Sequence, residues 1–432
     1  MVRAPGTATT PCQPPPLRYR VLSRLLWPAL AGLSWHQGRA AGDVRLLPQR
    51  LAYQLPDGPT EIWCHCASVG EVNTAAPLIN ALRQRGHRVH LTTVTPTGAE
   101  TVRKTWGDAV SHSYLPIDTA AATGRFLAAL RPTLGLVVET EIWPNLYAQA
   151  RARGVTLAIV NGRVSPRTAN APRWWRPVMA SALQHLHRVL ARSERDAAAW
   201  RTLGVPPKRI QVTGSLKYAA LATATTEQPR LCAVPYWLVA STHADEEQQI
   251  AAAWQAATAR TRHTLVIVPR HVGRAVAIRR QLTALGLRVA TRSLGETEAA
   301  SPDVILADTF GELQAWYHYA DAVFVGGSFV DTGGHNVLEP AVHAKWIATG
   351  PTVHNFQDEV DLLRQANAIA CVSTPQALVS QVCEVLAQPE LAQAQGERAR
   401  AAVAEVADVL PRYLDGIAAL YAASNATQPA SS

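Results

Sequence analysis

Short apolar runs alternate with segments of helical period along most of this chain. Residues 62–66 read as a buried strand, and 72–85 read as a helix closed by Gly86. Further strands are expected at 89–93, 134–138, 157–160, 189–192 and 210–212, with helices between them. The periodicity lapses in an Ala-, Thr- and Pro-rich stretch, then resumes with strands at 237–240, 264–268, 304–306, 322–325 and 346–348. Short apolar runs separated by helical patterns specify βαβ units and parallel sheets. An Ala-rich helical tail covers 389–423, and 425–432 reads as disordered.

A chain of 432 residues exceeds one ordinary α/β core, and its interrupted pattern divides it in two. The expected fold is α/β, with two doubly wound parallel-sheet domains facing a cleft and ligands at the strand C-terminal ends. The division places a leader and helix in 1–45, one domain in 46–218, a linker in 219–235, a second domain in 236–424 and a tail in 425–432. After a Pro-rich start, 19–35 reads as an apolar helix with Arg20 and Arg24 near its front and Pro28 inside. It is short and interrupted for a membrane span. Two readings stand, an amphipathic helix lying on a membrane face and a plain capping helix.

Charge narrows the partners. The formal net charge is +9, and of the 41 Lys and Arg residues only Lys104, Lys208, Lys217 and Lys345 are Lys. Arg suits bidentate contact with phosphates and carboxylates, so anionic substrates or an anionic membrane face fit, as does a simple compositional bias. No basic run is interleaved with aromatics, which leaves nucleic acid without support. The six cysteines form no C-x-x-C pair, and Cys64 and Cys66 share one face of a strand with His65 on the other. They read as buried thiols.

The candidate chemistry sits where strands end. Gly333-Gly334-His335-Asn336-Val337-Leu338-Glu339-Pro340 follows the run 322–325. A glycine-rich turn lets backbone approach a ligand, the helix N-terminus offers N–H groups to phosphate, and Glu339 can accept ribose hydroxyls. Glu71, in Ser68-Val69-Gly70-Glu71, stands at a strand end and a helix start, either as a helix-start acid or as a general base. Glu139 and Glu141, in Glu139-Thr140-Glu141-Ile142-Trp143-Pro144-Asn145, put two carboxylates at the mouth of a buried strand, where they need partners. Lys217 follows Thr213-Gly214-Ser215-Leu216 and supplies a compact charge in an Arg-rich chain. Ser241-Thr242-His243, Pro269-Arg270-His271 and Gly311-Glu312-Leu313 add phosphate-competent turns in the second half, with Arg270 best placed to meet phosphate. There is no G-x-G-x-x-G after the first strand, no Walker A sequence and no clear D-x-D loop. A metal-free transferase without a cofactor is therefore expected.

Taken in order, ASVGE, TTVTPTGAE, ETEIWPNL, NGRVS, TGSLK, ASTHADEE, VPRH, GEL, FVGGS, GGHNVLEP and GPTVHNF resemble the 3-deoxy-D-manno-octulosonic acid (Kdo) transferase family across about residues 62 to 365. The resemblance implies a GT-B glycosyltransferase on the cytoplasmic face of the inner membrane. It would transfer Kdo from CMP-Kdo to a lipid A precursor (lipid IVA), with inversion and without metal. It makes 46–218 the acceptor domain, 236–424 the CMP-Kdo domain and the N-terminal helix the membrane attachment. It implies Glu71 as catalytic base, Glu139 and Lys217 in transition-state stabilisation, and Pro269, Arg270, Gly311, Glu312, Leu313, Asn336, Val337, Leu338 and Glu339 in CMP binding. Val337 stands where the family pattern has Pro, Tyr218 where it has Phe, and Cys66 where a smaller or branched apolar residue is usual. None of these departures removes a charge. Another two-domain sugar-nucleotide enzyme, such as an epimerase, or a non-catalytic CMP-binding membrane protein is the alternative; a mere binder has no need of a base.

Overall fold

The computed structural model describes residues 14–55, 58–223, 228–257, 262–296 and 302–427. The chain forms two compact units, Met1–Ala219 with Asp408–Ser432, and Ala220–Ala407. Parts of the expected leader, linker and tail (1–13, 224–227 and 428–432) lie outside the described residues.

The first unit holds a seven-stranded parallel sheet of β1 (Ile62–His65), β2 (Val89–Thr93), β3 (Ser111–Tyr114), β4 (Leu134–Val138), β5 (Thr156–Gly162), β6 (Arg188–Ala191) and β7 (Ile210–Val212). Their order is β3-β2-β1-β4-β5-β6-β7. β1 and β4 lie at the centre, in register Ile62↔Leu134 to His65↔Val137, and both are buried throughout. Burial on both faces is why their sequences run apolar rather than alternating. Gly135 is required by packing, since a Cβ there would come within 2.7 Å of Leu157 and 2.9 Å of Trp63.

The second unit repeats the design with β8 (Tyr236–Thr242), β9 (Thr264–Pro269), β10 (Val289–Thr291), β11 (Val304–Leu306), β12 (Ala322–Val325), β13 (Trp346–Thr349) and β14 (Ala370–Cys371). Its order is β10-β11-β9-β8-β12-β13-β14, again parallel throughout. The turns after β8, β9, β11 and β12 therefore lie on four adjacent strands.

Several elements differ from expectation. β3, β10 and β14 are short, and β3 and β14 carry polar or exposed positions, so no apolar run announces them. The tail is two helices, Pro389–Ala407 and Leu410–Thr427. The second of these packs into the first unit's core through Tyr413, Leu414, Ile417 and Leu420, where the sequence division had placed 408–424 in the second domain. The N-terminal helix is longer than its apolar stretch, Leu17–Ala41, with Pro28 accommodated inside it.

That helix is tied to the fold by one buried acid. Asp118 accepts the Tyr19 hydroxyl at 2.6 Å and the Asn145 and Leu146 N–H groups at 3.0 and 2.8 Å. It thereby caps the helix Pro144–Ala152, whose own preceding residue Trp143 supplies no capping side chain.

Candidate functional site

In the first unit, β1 runs into the helix Val69–Gln84 through Ala67 and Ser68. Glu71, in its first turn, accepts the Ala67 N–H at 2.6 Å. Burial pushes its carboxyl up to about 8 against that bond, and the Glu141 and Glu139 carboxylates push the same way. Taking a carboxylate out of water disfavours its charged form, and like charges nearby add to the effect.

The neighbouring carboxylates come from the loop after β4. Glu139 adopts φ +60°, a left-handed conformation uncommon away from glycine, and its N–H donates to the Val160 carbonyl of β5. Its carboxylate lies 4.0 Å from the Arg163 guanidinium. Glu141 lies 3.9 Å from Nε2 of the fully buried His65, whose Nδ1 meets the Thr92 carbonyl and hydroxyl at 3.1 and 3.0 Å. β1 and β4 are hydrogen-bonded neighbours, so their C-terminal turns bring Glu71, Glu139 and Glu141 to one place.

The NGRVS segment, which starts with the last two residues of β5, links this group to the next loop. Arg163 faces Glu139 and its carbonyl accepts the Thr140 hydroxyl, while Asn161, also left-handed at φ +52°, accepts the Leu216 N–H at 3.1 Å. Lys217 follows Leu216 and is exposed beyond β7, the edge strand three places from β4. Tyr413 of the last helix donates to the Gly214 carbonyl at 2.7 Å and holds the same loop. Sequence reasoning named Glu71, Glu139 and Lys217. It saw NGRVS only as a motif, and nothing local in Asn161 or Arg163 announces a joint between two loops.

In the second unit the expected residues fall at the ends of β9, β11 and β12. Pro269 ends β9, and Arg270 is exposed just beyond it with its N–H donating to the Thr242 carbonyl at 3.0 Å. Gly311 has φ +82°, and Leu313 starts the helix Leu313–Tyr319. Glu312 is paired with Arg292 through two contacts of 3.0 and 3.1 Å, which hold its carboxyl below the usual range. Asn336 accepts the Leu338 N–H at 3.1 Å and donates to Glu339 at 3.3 Å, while Val337 and Leu338 are buried. Glu339 also accepts from Gln314 at 3.3 Å, which joins the GEL helix to the NVLEP helix. Burial pushes the Glu339 carboxyl up, opposed by Asn336, Arg270 and Gln314.

A residue that sequence reasoning left without a role organises these turns. Glu246 is almost fully buried and accepts four N–H groups, from His243 at 2.9 Å, Gly327 at 2.7 Å, and Ser328 and Phe329 at 3.0 Å each. Next to it Glu247 takes the Thr242 hydroxyl at 2.8 Å and Arg274 at 2.7 and 3.1 Å. Together they fix the FVGGS turn against the THADEE turn.

Comparison with known proteins gives this geometry a context. A family model described as 3-deoxy-D-manno-octulosonic-acid transferase (kdotransferase) matches residues 45–220. A 3-deoxy-D-manno-octulosonic acid transferase of Bordetella pertussis is 35% identical, covering 93% of this chain and 97% of its own. One from Haemophilus influenzae is 34% identical over 83% of this chain and 86% of its own. Among solved structures, a glycosyltransferase from Rickettsia africae superposes with a TM-score of 0.55 at 14% identity, covering 86% of this chain and all of that one, a likeness of fold alone.

Proposed function

The chain belongs to the 3-deoxy-D-manno-octulosonic acid (Kdo) transferases and is a glycosyltransferase of GT-B-like fold, and from that premise we propose that it transfers Kdo from CMP-Kdo to a lipid A precursor, lipid IVA, with Glu71 as general base. The observation that carries this reading is the gathering of Glu71, Glu139 and Glu141 at the adjoining ends of the paired strands β1 and β4, where burial and the two further carboxylates push the Glu71 carboxyl up to about 8. A general base works best with a pKa near the working pH, and a helix-start acid kept only for the dipole would gain nothing from such a shift.

In this mechanism Glu71 takes the proton of an acceptor hydroxyl as its oxygen bonds to the anomeric carbon of Kdo from the face opposite the phosphate. The bond from that carbon to the CMP phosphate breaks with its electron pair on the phosphate oxygen, and the configuration inverts. Positive charge gathers on the sugar ring in the transition state, as in glycoside hydrolysis. Glu139 is suited to stabilise that charge, and Lys217 and Arg270 to take up the charge on the departing phosphate. Glu339, in the first turn of its helix, is placed to accept ribose hydroxyls. No step requires a metal ion or other cofactor.

The same reading places the enzyme on the cytoplasmic face of the inner membrane. The helix Leu17–Ala41 exposes Leu17, Leu25, Leu26, Trp27, Leu33 and Trp35, an apolar surface suited to a headgroup–acyl boundary. No helix among the described residues is long and apolar enough to cross a membrane, which favours a helix lying in that boundary. The net positive charge suits an anionic leaflet and a phosphorylated lipid.

The deciding experiment incubates the purified chain with CMP-Kdo and lipid IVA and weighs the lipid product, beside Glu71→Gln. A lipid heavier by one or more Kdo units, absent with the variant, is expected. An unmodified lipid from the wild-type protein that still binds CMP would overturn the acceptor assignment, and full activity in the variant would overturn the base.

A further inference from the structure

Three histidines that no step above uses gather beside Arg270. His243 follows β8, His271 follows β9, and His335 lies in the glycine-rich turn, 92 residues from His243. Nε2 of His243 and Nε2 of His335 are 2.9 Å apart, and the two rings lie within 9° of one plane with centroids 5.2 Å apart. That centroid distance is what head-to-head rings leave, so the rings meet edge to edge through one hydrogen bond rather than stacking. One ring donates an N–H and the other accepts it. The His271 ring meets His243 edge-on at 5.7 Å.

The turn is shaped for this pair. Gly327 has φ +66°, and a Cβ there would come within 2.9 Å of the His335 ring. The charged groups facing the pair are Glu246 and Glu247 from the turn after β8, and Arg270, His271 and Arg274 from the turn after β9; the Phe356 ring lies 6.5 Å from His335. Both acids are spent, Glu246 on four backbone N–H groups and Glu247 on Thr242 and Arg274. Among the described residues no carboxylate lies within ion-pair distance of Arg270. Nor, among them, does any set of three or more His, Cys, Asp or Glu side chains stand ready to hold a metal ion, so the three rings do not form a metal cradle.

What remains is a receptor for two anions side by side, an exposed guanidinium and a histidine pair that can take one more proton. The donor of the reading above has that character, because the anomeric carbon of a 2-ulosonic acid carries its carboxylate and, when activated, its phosphate. We propose that the His243–His335 pair receives the sugar-acid carboxylate of the donor beside a phosphate held by Arg270, and that the pair takes up one proton from solvent when it does so. This rests on the donor reading and deepens it, since a nucleotide carrying a neutral sugar would leave the pair without a partner. Burial, with His243, Arg270 and His271 adding to it, holds His335 down to about 4, so the free pair is neutral at physiological pH. An arriving carboxylate reverses that balance, and the shared proton then holds both rings on the anion.

The test is calorimetric titration of the full chain, without acceptor, with CMP and with CMP-Kdo in two neutral buffers of different ionisation enthalpy. CMP-Kdo is expected to take up about one proton more than CMP. Replacing His335 with Gln, which keeps an N–H donor but cannot be protonated, should abolish that extra proton. It should leave CMP affinity intact and raise KM for CMP-Kdo about ten-fold, as loss of the positive charge from a charge-assisted hydrogen bond does. His243→Gln should reproduce this if the rings act as a pair, which guards against a folding defect in one variant. Equal proton counts for the two ligands, or an unchanged KM in both variants, would overturn the proposal and leave the donor site standing. An equal loss of CMP affinity would assign the rings to the nucleotide phosphate and also overturn it. Failure of the wild-type chain to bind CMP at all would remove the donor reading itself.

Discussion

Two groups of glutamates at strand ends, one in each unit, are treated in opposite ways. In the second, Glu246 is satisfied by four backbone N–H groups, Glu247 by Arg274 and Thr242, and Glu312 by Arg292. In the first, Glu71, Glu139 and Glu141 face one another, and the nearest cation to Glu139 is an Arg163 nitrogen at 4.0 Å. A buried acid whose oxygens are all matched acts as scaffold. Glu71, buried and set against two further carboxylates, holds its proton up to about pH 8 and is ready to exchange it. Where a protein tolerates crowded carboxylates, chemistry is the better explanation than stability.

The comparison breaks most visibly at Glu71. Glu71→Gln should lower kcat by about 10²–10⁴-fold, the usual worth of a positioned general base, with KM for CMP-Kdo little changed. Its stability should move the other way. The folded protein binds the Glu71 proton more tightly than the unfolded chain, so protonation favours the fold. Wild type therefore loses stability as pH rises from the ordinary carboxylate range through about 8, and the variant does not. Melting temperatures across that window should show the variant gaining on wild type toward alkaline pH. Parallel melting curves would mean that Glu71 is not held protonated.

A matched acid should respond in stability alone. Glu246→Gln exchanges a carboxylate for an amide with one acceptor and two misplaced donors. A loss of about 3 kcal/mol is expected, read by denaturant unfolding, with no shift in the pH–rate profile. Glu141→Gln sharpens the contrast on the other side. Removing that negative charge lowers the Glu71 pKa, so the rising limb of kcat/KM against pH should move down from about 8. A limb that stays in place would show that Glu141 takes no part in setting the base.

Much of this was legible in the sequence, for physical reasons. The central strands announce themselves because burial on both faces forces continuous apolar runs such as Leu134–Val138. Edge strands escape that demand, which is why Ser111–Tyr114, with two serines and a histidine, carried no signal. Glu71 and Glu139 were readable as carboxylates at strand ends. Glu141 was visible there too, but its bearing on Glu71 depends on the turn that Glu139 makes at φ +60° and on the pairing of β1 with β4. The Glu246 nest was hidden in another way. A helix-start acid is unremarkable until backbone from 81 to 83 residues later folds its N–H groups onto it.

The helix Leu410–Thr427 gives the molecule an unusual order of assembly. The first unit begins the chain, yet Tyr413, Leu414, Ile417 and Leu420 complete its core and Tyr413 pins the loop before Lys217. Domains generally fold as they leave the ribosome, the N-terminal one first. Here the nascent first unit must wait, with part of its apolar interior uncovered, while all of Ala220–Ala407 is translated and becomes free to fold. The half of the enzyme made first is the half finished last.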